Sequence, residues 1–82
     1  MSQIKVLFFA SLREQMGVAE LTLTAGNLAD IYHQVKVQMG EQALQSLQAD
    51  NVRIALNQDL VEHEFTLNDG DEVAFLPPVT GG

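Results

Sequence analysis

Two stretches of this chain are apolar on both sides of an extended backbone, and they lie at opposite ends of the sequence. In Ile4–Ala10, rich in strand formers, Ile4, Val6 and Phe8 share one face while Leu7 and Phe9 point to the other. Val73, Ala74, Phe75 and Leu76 form the second run, ended by Pro77 and Pro78, which have no N–H to give a ladder. Strands of this kind belong at the centre of a sheet. The two are therefore expected side by side, and if they run parallel the segment between them must supply a crossover.

The intervening segment contains a clear helix. Asn27 is a good N-cap, Asp30 complements the dipole in the first turn, and Leu28, Ile31, Tyr32, Val35 and Met39 recur on one stripe up to Gly40. A single helical turn over Ser11–Met16 closes at Gly17, and a weaker helical stretch covers Glu41–Leu47. Glu20–Thr24 alternates as a half-buried strand. Val52–Asn57 reads as a third strand, Asn57-Gln58-Asp59 as a turn, and Leu60-Val61 as a short extended piece. Asn68-Asp69-Gly70-Asp71 is a further turn. The order is ββαββ: an α+β mixed sheet with one main helix across one face, the β-grasp or ubiquitin-like arrangement. Residues 1–76 are expected to form that domain and residues 77–82 a flexible Gly-Gly tail. The face opposite the helix carries Leu7, Phe9, Ala74 and Leu76, and reads as a partner surface.

Charge narrows the partners. Four Lys and Arg stand against eleven Asp and Glu, a formal charge of −7. Nucleic acid, bound largely by cationic side chains, and anionic membrane are thereby disfavoured, and a basic-faced protein is favoured. Val6–Ala10 is shorter than the roughly 18 residues of a membrane helix and the about 7–15 of a signal-peptide core. A cytoplasmic protein is expected.

The 82 residues contain no cysteine, which removes disulfides, thiolate metal sites and thiol nucleophiles. His33 lies on the helix away from Leu28, Ile31 and Val35. His63 stands between Glu62 and Glu64, where neighbours on an extended segment point to alternate sides, so both histidines read as solvated. Asp69, Asp71 and Glu72 crowd around Gly70 without the spacing of a calcium loop and read as turn chemistry. No metal or cofactor is expected on this chain, and no nucleophile–base constellation is apparent.

Chemistry is left to the C-terminal Leu76-Pro77-Pro78-Val79-Thr80-Gly81-Gly82. Gly-Gly alone is weak, arising by chance in about one chain in two hundred. The diproline, however, stiffens an extended exit, and two residues without side chains let a tail thread a narrow channel in another protein. A carboxylate with a pKa near 3.5 is ionised and a poor acyl donor, so it must be activated, for example as a mixed anhydride with AMP.

Three stretches carry a family resemblance: Lys5-Val6-Leu7-Phe8-Phe9-Ala10-Ser11-Leu12-Arg13-Glu14, Ala55-Leu56-Asn57-Gln58, and above all residues 69–82, Asp-Gly-Asp-Glu-Val-Ala-Phe-Leu-Pro-Pro-Val-Thr-Gly-Gly. They resemble the small, sulfur-carrier subunits of molybdopterin synthase, among the β-grasp sulfur carriers. Gly17–Asn51 matches only in pattern. The resemblance implies that a ubiquitin-activating-like adenylyltransferase uses ATP to adenylate the Gly82 carboxylate, which then becomes a thiocarboxylate. It implies that Val79, Thr80 and Gly81 thread the active site of the large synthase subunit. Sulfur then passes to cyclic pyranopterin monophosphate, in a heterotetramer of two small and two large subunits. By position, Phe9, Leu60 and Leu76 would dock the partners, and the catalytic side chains would belong to the large subunit. Two rivals share the tail: a carrier for thiamine or tRNA thiolation, and a ubiquitin-like modifier or binding module. Phe75-Leu76-Pro77-Pro78 favours the molybdopterin type over the other carriers.

Overall fold

The computed structural model describes residues 2–62 and 65–77. Along the chain run β1 (Ser2–Phe8), α1 (Ala10–Met16), β2 (Glu20–Ala25), α2 (Leu28–Met39), α3 (Glu41–Leu47), β3 (Arg53–Leu56), β4 (Asp59–Val61) and β5 (Glu72–Leu76). The five strands make one sheet in the order β2-β1-β5-β3-β4. β1 and β5 pair in parallel, with Val6 opposite Val73 and Phe8 opposite Phe75, and every other pairing is antiparallel. This is the β-grasp arrangement. The two doubly apolar runs are indeed neighbours, and β5 holds the middle place.

Helix α2 forms where its cap and stripe predict. The Asn27 side chain accepts a hydrogen bond from the Asp30 N–H at 2.9 Å, and the Asp30 carboxylate accepts one from the Gly26 N–H at 2.9 Å. Leu28, Ile31 and Val35 are buried against the sheet. Full burial of a Val or Ile side chain is worth about 1.5–3 kcal/mol, far more than helix propensity supplies. Opposite them lie Ile4, Val6 and Phe8 of β1, Leu23 and Ala25 of β2, and Val73 and Phe75 of β5. Phe75 sits at the middle, its ring 6.1 Å from that of Phe8 and 6.2 Å from that of Tyr32. Partial burial pushes the Tyr32 hydroxyl pKa up.

Several boundaries shift by a residue or two, and two of the shifts have a clear backbone cause. β1 ends at Phe8 rather than Ala10, because Ala10 adopts φ 49° and turns the chain into α1. β3 starts at Arg53 and stops at Leu56, because Asn57 and Gln58 are both left-handed, at φ 51° and 75°, and build the tight turn into β4. α3 keeps the expected bounds. Among the described residues no helix is long and apolar enough to cross a membrane.

Removing the α2 cap tests this account. Asn27→Ala is expected to lower unfolding stability by about 1 kcal/mol, read as a lower urea midpoint at unchanged m-value.

Candidate functional site

The sheet face away from α2 is organised by strand register. Leu7 of β1 stands opposite Ala74 of β5, Ala74 opposite Ala55 of β3, and Ala55 opposite Leu60 of β4. Paired residues project to the same side, so these four make one apolar row across four strands. Ala74 and Ala55 are 8% and 6% exposed, small side chains flanked by larger ones, whereas Leu60 is 67% exposed. The Asn57-Gln58 turn sets this phase, since a one-residue slip in β4 would send Leu60 to the helix side.

A second row lies one step further along β5. Leu76 pairs with Arg53, and on the other side the Phe9 N–H donates to the Phe75 carbonyl at 3.3 Å, continuing the β1–β5 ladder past Phe8. Phe9 is 43% exposed and also begins α1, its carbonyl accepting from the N–H groups of Leu12 and Arg13 at 3.1 and 3.4 Å. The left-handed backbone at Ala10, a conformation that costs an L-residue about 1 kcal/mol, lets one residue serve strand and helix together. Phe9 and Leu76 are thus brought to the same level at the end of β5. Leu60 is not beside them: it lies two strands from β5, roughly 10 Å away, and one row back. Arg53, Leu60, Leu76 and Pro77 also border a cleft whose lining includes Leu28, Tyr32 and Leu47 of the helix layer and the carboxylates Asp50 and Glu62.

The opposite end of β5 is polar. Asp71 accepts hydrogen bonds from the Asn57 side-chain amide at 3.0 Å and the Asn68 N–H at 2.8 Å. These two bonds, the backbone one foremost, hold its carboxyl below the usual value. Asn57 in turn accepts from the Glu72 N–H at 3.0 Å, and Asp69 accepts from the Gln3 N–H at 2.7 Å. The acidic cluster is therefore turn chemistry that staples the β3–β4 hairpin to the start of β5. His33 is exposed on α2, and no group of three or more metal-ligating side chains occurs among the described residues. His63, Val79, Thr80, Gly81 and Gly82 lie outside the described residues. Sequence reading missed Ala55 and Arg53 as members of this face. Their alternation with Ile54 and Leu56 was the available signal.

Comparison with known proteins settles the family. The ThiS family pattern matches residues 6–82. The chain belongs to the ThiS family. Among curated ThiS-like relatives, the molybdopterin synthase sulfur carrier subunit of Escherichia coli (strain K12) is 42% identical over 81 residues, covering 96% of this chain and 99% of that protein. Its counterpart in Chlamydomonas reinhardtii is 44% identical over 85 residues, covering 98% and 99%. The fold is shared with small archaeal modifier protein 1 of Methanosarcina acetivorans, at TM-score 0.84 and 28% identity over 100% of this chain and 98% of that one. A protein–protein complex of subunits 1 and 2 of molybdopterin-converting factor from Helicobacter pylori 26695 contains a chain matching at TM-score 0.71 and 26% identity, covering 98% and 99%.

The Asp71 staple makes acid stability testable. A carboxyl held below its ordinary 3.8 in the folded chain contributes stability that is present above that value and is lost as pH falls through the lowered one. Asp71→Asn should therefore unfold more readily than the parent at pH 7, with the difference between the two urea midpoints closing below about pH 4.

Proposed function

We propose that this chain is the sulfur-carrier subunit of a molybdopterin synthase. The observation that carries the reading is the 42% identity to the Escherichia coli subunit over 99% of that protein's length. The geometry agrees with it. β5 delivers the chain to Pro77 beside the apolar face, so a partner gripping Phe9, Leu76 and Leu60 would also hold the root of the tail. The family match runs to Gly82, which supports reading that residue's carboxylate as the reacting group.

In this reading the domain is a handle and the chemistry proceeds in two partners. A ubiquitin-activating-like adenylyltransferase joins the Gly82 carboxylate to the α-phosphate of ATP and releases pyrophosphate. The acyl-adenylate exchanges a leaving group as poor as oxide for AMP, a good one. Hydrosulfide then attacks the acyl carbon, AMP leaves with the anhydride oxygen, and loss of the S–H proton gives the thiocarboxylate. Inside the large subunit, Val79, Thr80 and Gly81 occupy the channel, and Gly82 presents its sulfur to cyclic pyranopterin monophosphate. Glycine at both final positions removes the side chains that would block such a channel. This chain is the sulfur-donating subunit, the large subunit supplies the catalytic side chains, and ATP is bound by the activating enzyme.

A second reading, a ubiquitin-like modifier, draws on the likeness to small archaeal modifier protein 1. Intact mass separates the two. After incubation with the activating enzyme, ATP and a sulfur source, the expected product is the chain with one oxygen replaced by sulfur. Isopeptide-linked conjugates without that exchange would establish the modifier instead.

Two variants test the division between handle and tail. Deleting Gly82 should abolish sulfur transfer and leave the thermal midpoint unchanged, measured by intact mass and circular dichroism. Phe9→Lys should weaken binding to the large subunit by about tenfold or more, since it places a charge within an apolar contact. Calorimetric titration reads that loss.

A further inference from the structure

Of the two cations carried by the strands, Lys5 and Arg53, the second lies at the end where the chain leaves the sheet. Arg53 is exposed, pairs in register with Leu76, and lines the same cleft as Leu60, Leu76 and Pro77. The other cation on this face, Lys5, is already engaged: its ammonium lies 3.7 Å from Glu20, and Glu72 stands opposite it on β5. Lys5–Glu20 is the one ion pair among the described residues. Glu62 borders the cleft yet forms no ion pair with Arg53. The open face is consequently acidic where β5 begins and carries Arg53 where it ends, beside a cleft that Asp50 and Glu62 also line, with the Leu7-Ala74-Ala55-Leu60 row between.

We infer that Arg53 is a specificity-determining residue of the docking face and takes a carboxylate on the rim of the large subunit's apolar patch, beside the mouth of the tail channel. The inference rests on the sulfur-carrier reading. Its physical ground is desolvation. A partner seated on Phe9, Leu76 and Leu60 strips water from the guanidinium between them, and a stripped charge opposes binding unless an acceptor replaces the water. A carboxylate does so best, because two parallel N–H groups of the guanidinium match its two oxygens. On a chain of charge −7, whose general field favours basic surfaces, an acidic spot placed here would set orientation and exclude partners that are merely basic.

The test uses the full chain and the large synthase subunit, titrated by calorimetry at low and raised ionic strength. Arg53→Glu is expected to weaken binding by about tenfold or more at low salt, with the deficit shrinking as salt rises. Arg53→Lys should fall between parent and Arg53→Glu, keeping the charge and losing the fork. Arg53→Gln serves in place of Arg53→Glu if the latter lowers the thermal midpoint. Arg53→Glu binding within about twofold of the parent, while Phe9→Lys abolishes binding, would overturn the role of Arg53 and leave the carrier reading standing. The same holds if Arg53→Glu and Glu62→Gln both lower the thermal midpoint with affinity untouched, since Arg53 would then act within the chain. A parent chain that neither binds the large subunit nor accepts sulfur would overturn the carrier reading, and this inference with it.

Discussion

The parallel pairing of β1 with β5 is the constraint on which the rest of this structure depends. Two strands that are apolar towards the helix throughout, and on the other side as well at Leu7, Ala74 and Leu76, belong in the interior of a sheet, and parallel strands cannot be joined by a short turn. Everything between Phe8 and Glu72 is therefore connection. Within that connection α2 covers one face, while β2 and the β3–β4 hairpin extend the sheet to either side. Phe75, stacked near Phe8 and Tyr32, lies where these layers meet. Its immediate neighbours Ala74 and Leu76 project to the uncovered side. Core and open face are thus alternate residues of one strand.

Those alternate residues explain how so small a domain can serve a partner. A chain of 82 residues has little interior to spend on a pocket, and the described residues hold no metal-ligating cluster. What the fold offers instead is a rigid outer surface continuous with its core. Phe9 shows how this is achieved: its backbone closes the β1–β5 ladder, starts α1 and leaves the ring partly exposed beside Leu76. The strained Ala10 is what allows the three roles to coincide in one residue.

Much of this was legible from residue pattern. The α2 cap and stripe announce themselves through Asn27, Asp30 and the spacing from Leu28 to Met39, because local rules govern a helix. The identity of the central strands was equally readable, because continuous apolarity has few other uses. What escaped was decided by long-range pairing. Alternation with Ile54 and Leu56 puts Ala55 and Arg53 on one face of β3, but that this face lies beside Leu76 depends on β3 pairing antiparallel to β5, which no local signal states. The end of β1 was overrun because an alanine, not a glycine, takes the left-handed turn at position 10. Phe9 and Leu76 share the open face as the strand pattern implied, and the parallel register adds that they stand at one level, whereas Leu60, chosen by resemblance, stands at the far edge. The tail residues lie outside the described part, and their roles rest on sequence alone.

The central position of β5 has a consequence for how the protein comes into being. During synthesis β1, β2, α2 and the β3–β4 hairpin emerge before β5, yet the β1 and β3 edges that flank it have no partner until it arrives. The sheet closes only when Val73–Leu76 are out of the ribosome, and contacts so distant in sequence form late. The segment that completes the fold is the one directly preceding the C-terminal Gly-Gly tail. A folded domain is therefore a guarantee that its β5 root has been made, and an enzyme that recognises the closed sheet would pass over unfinished chains without inspecting the terminus.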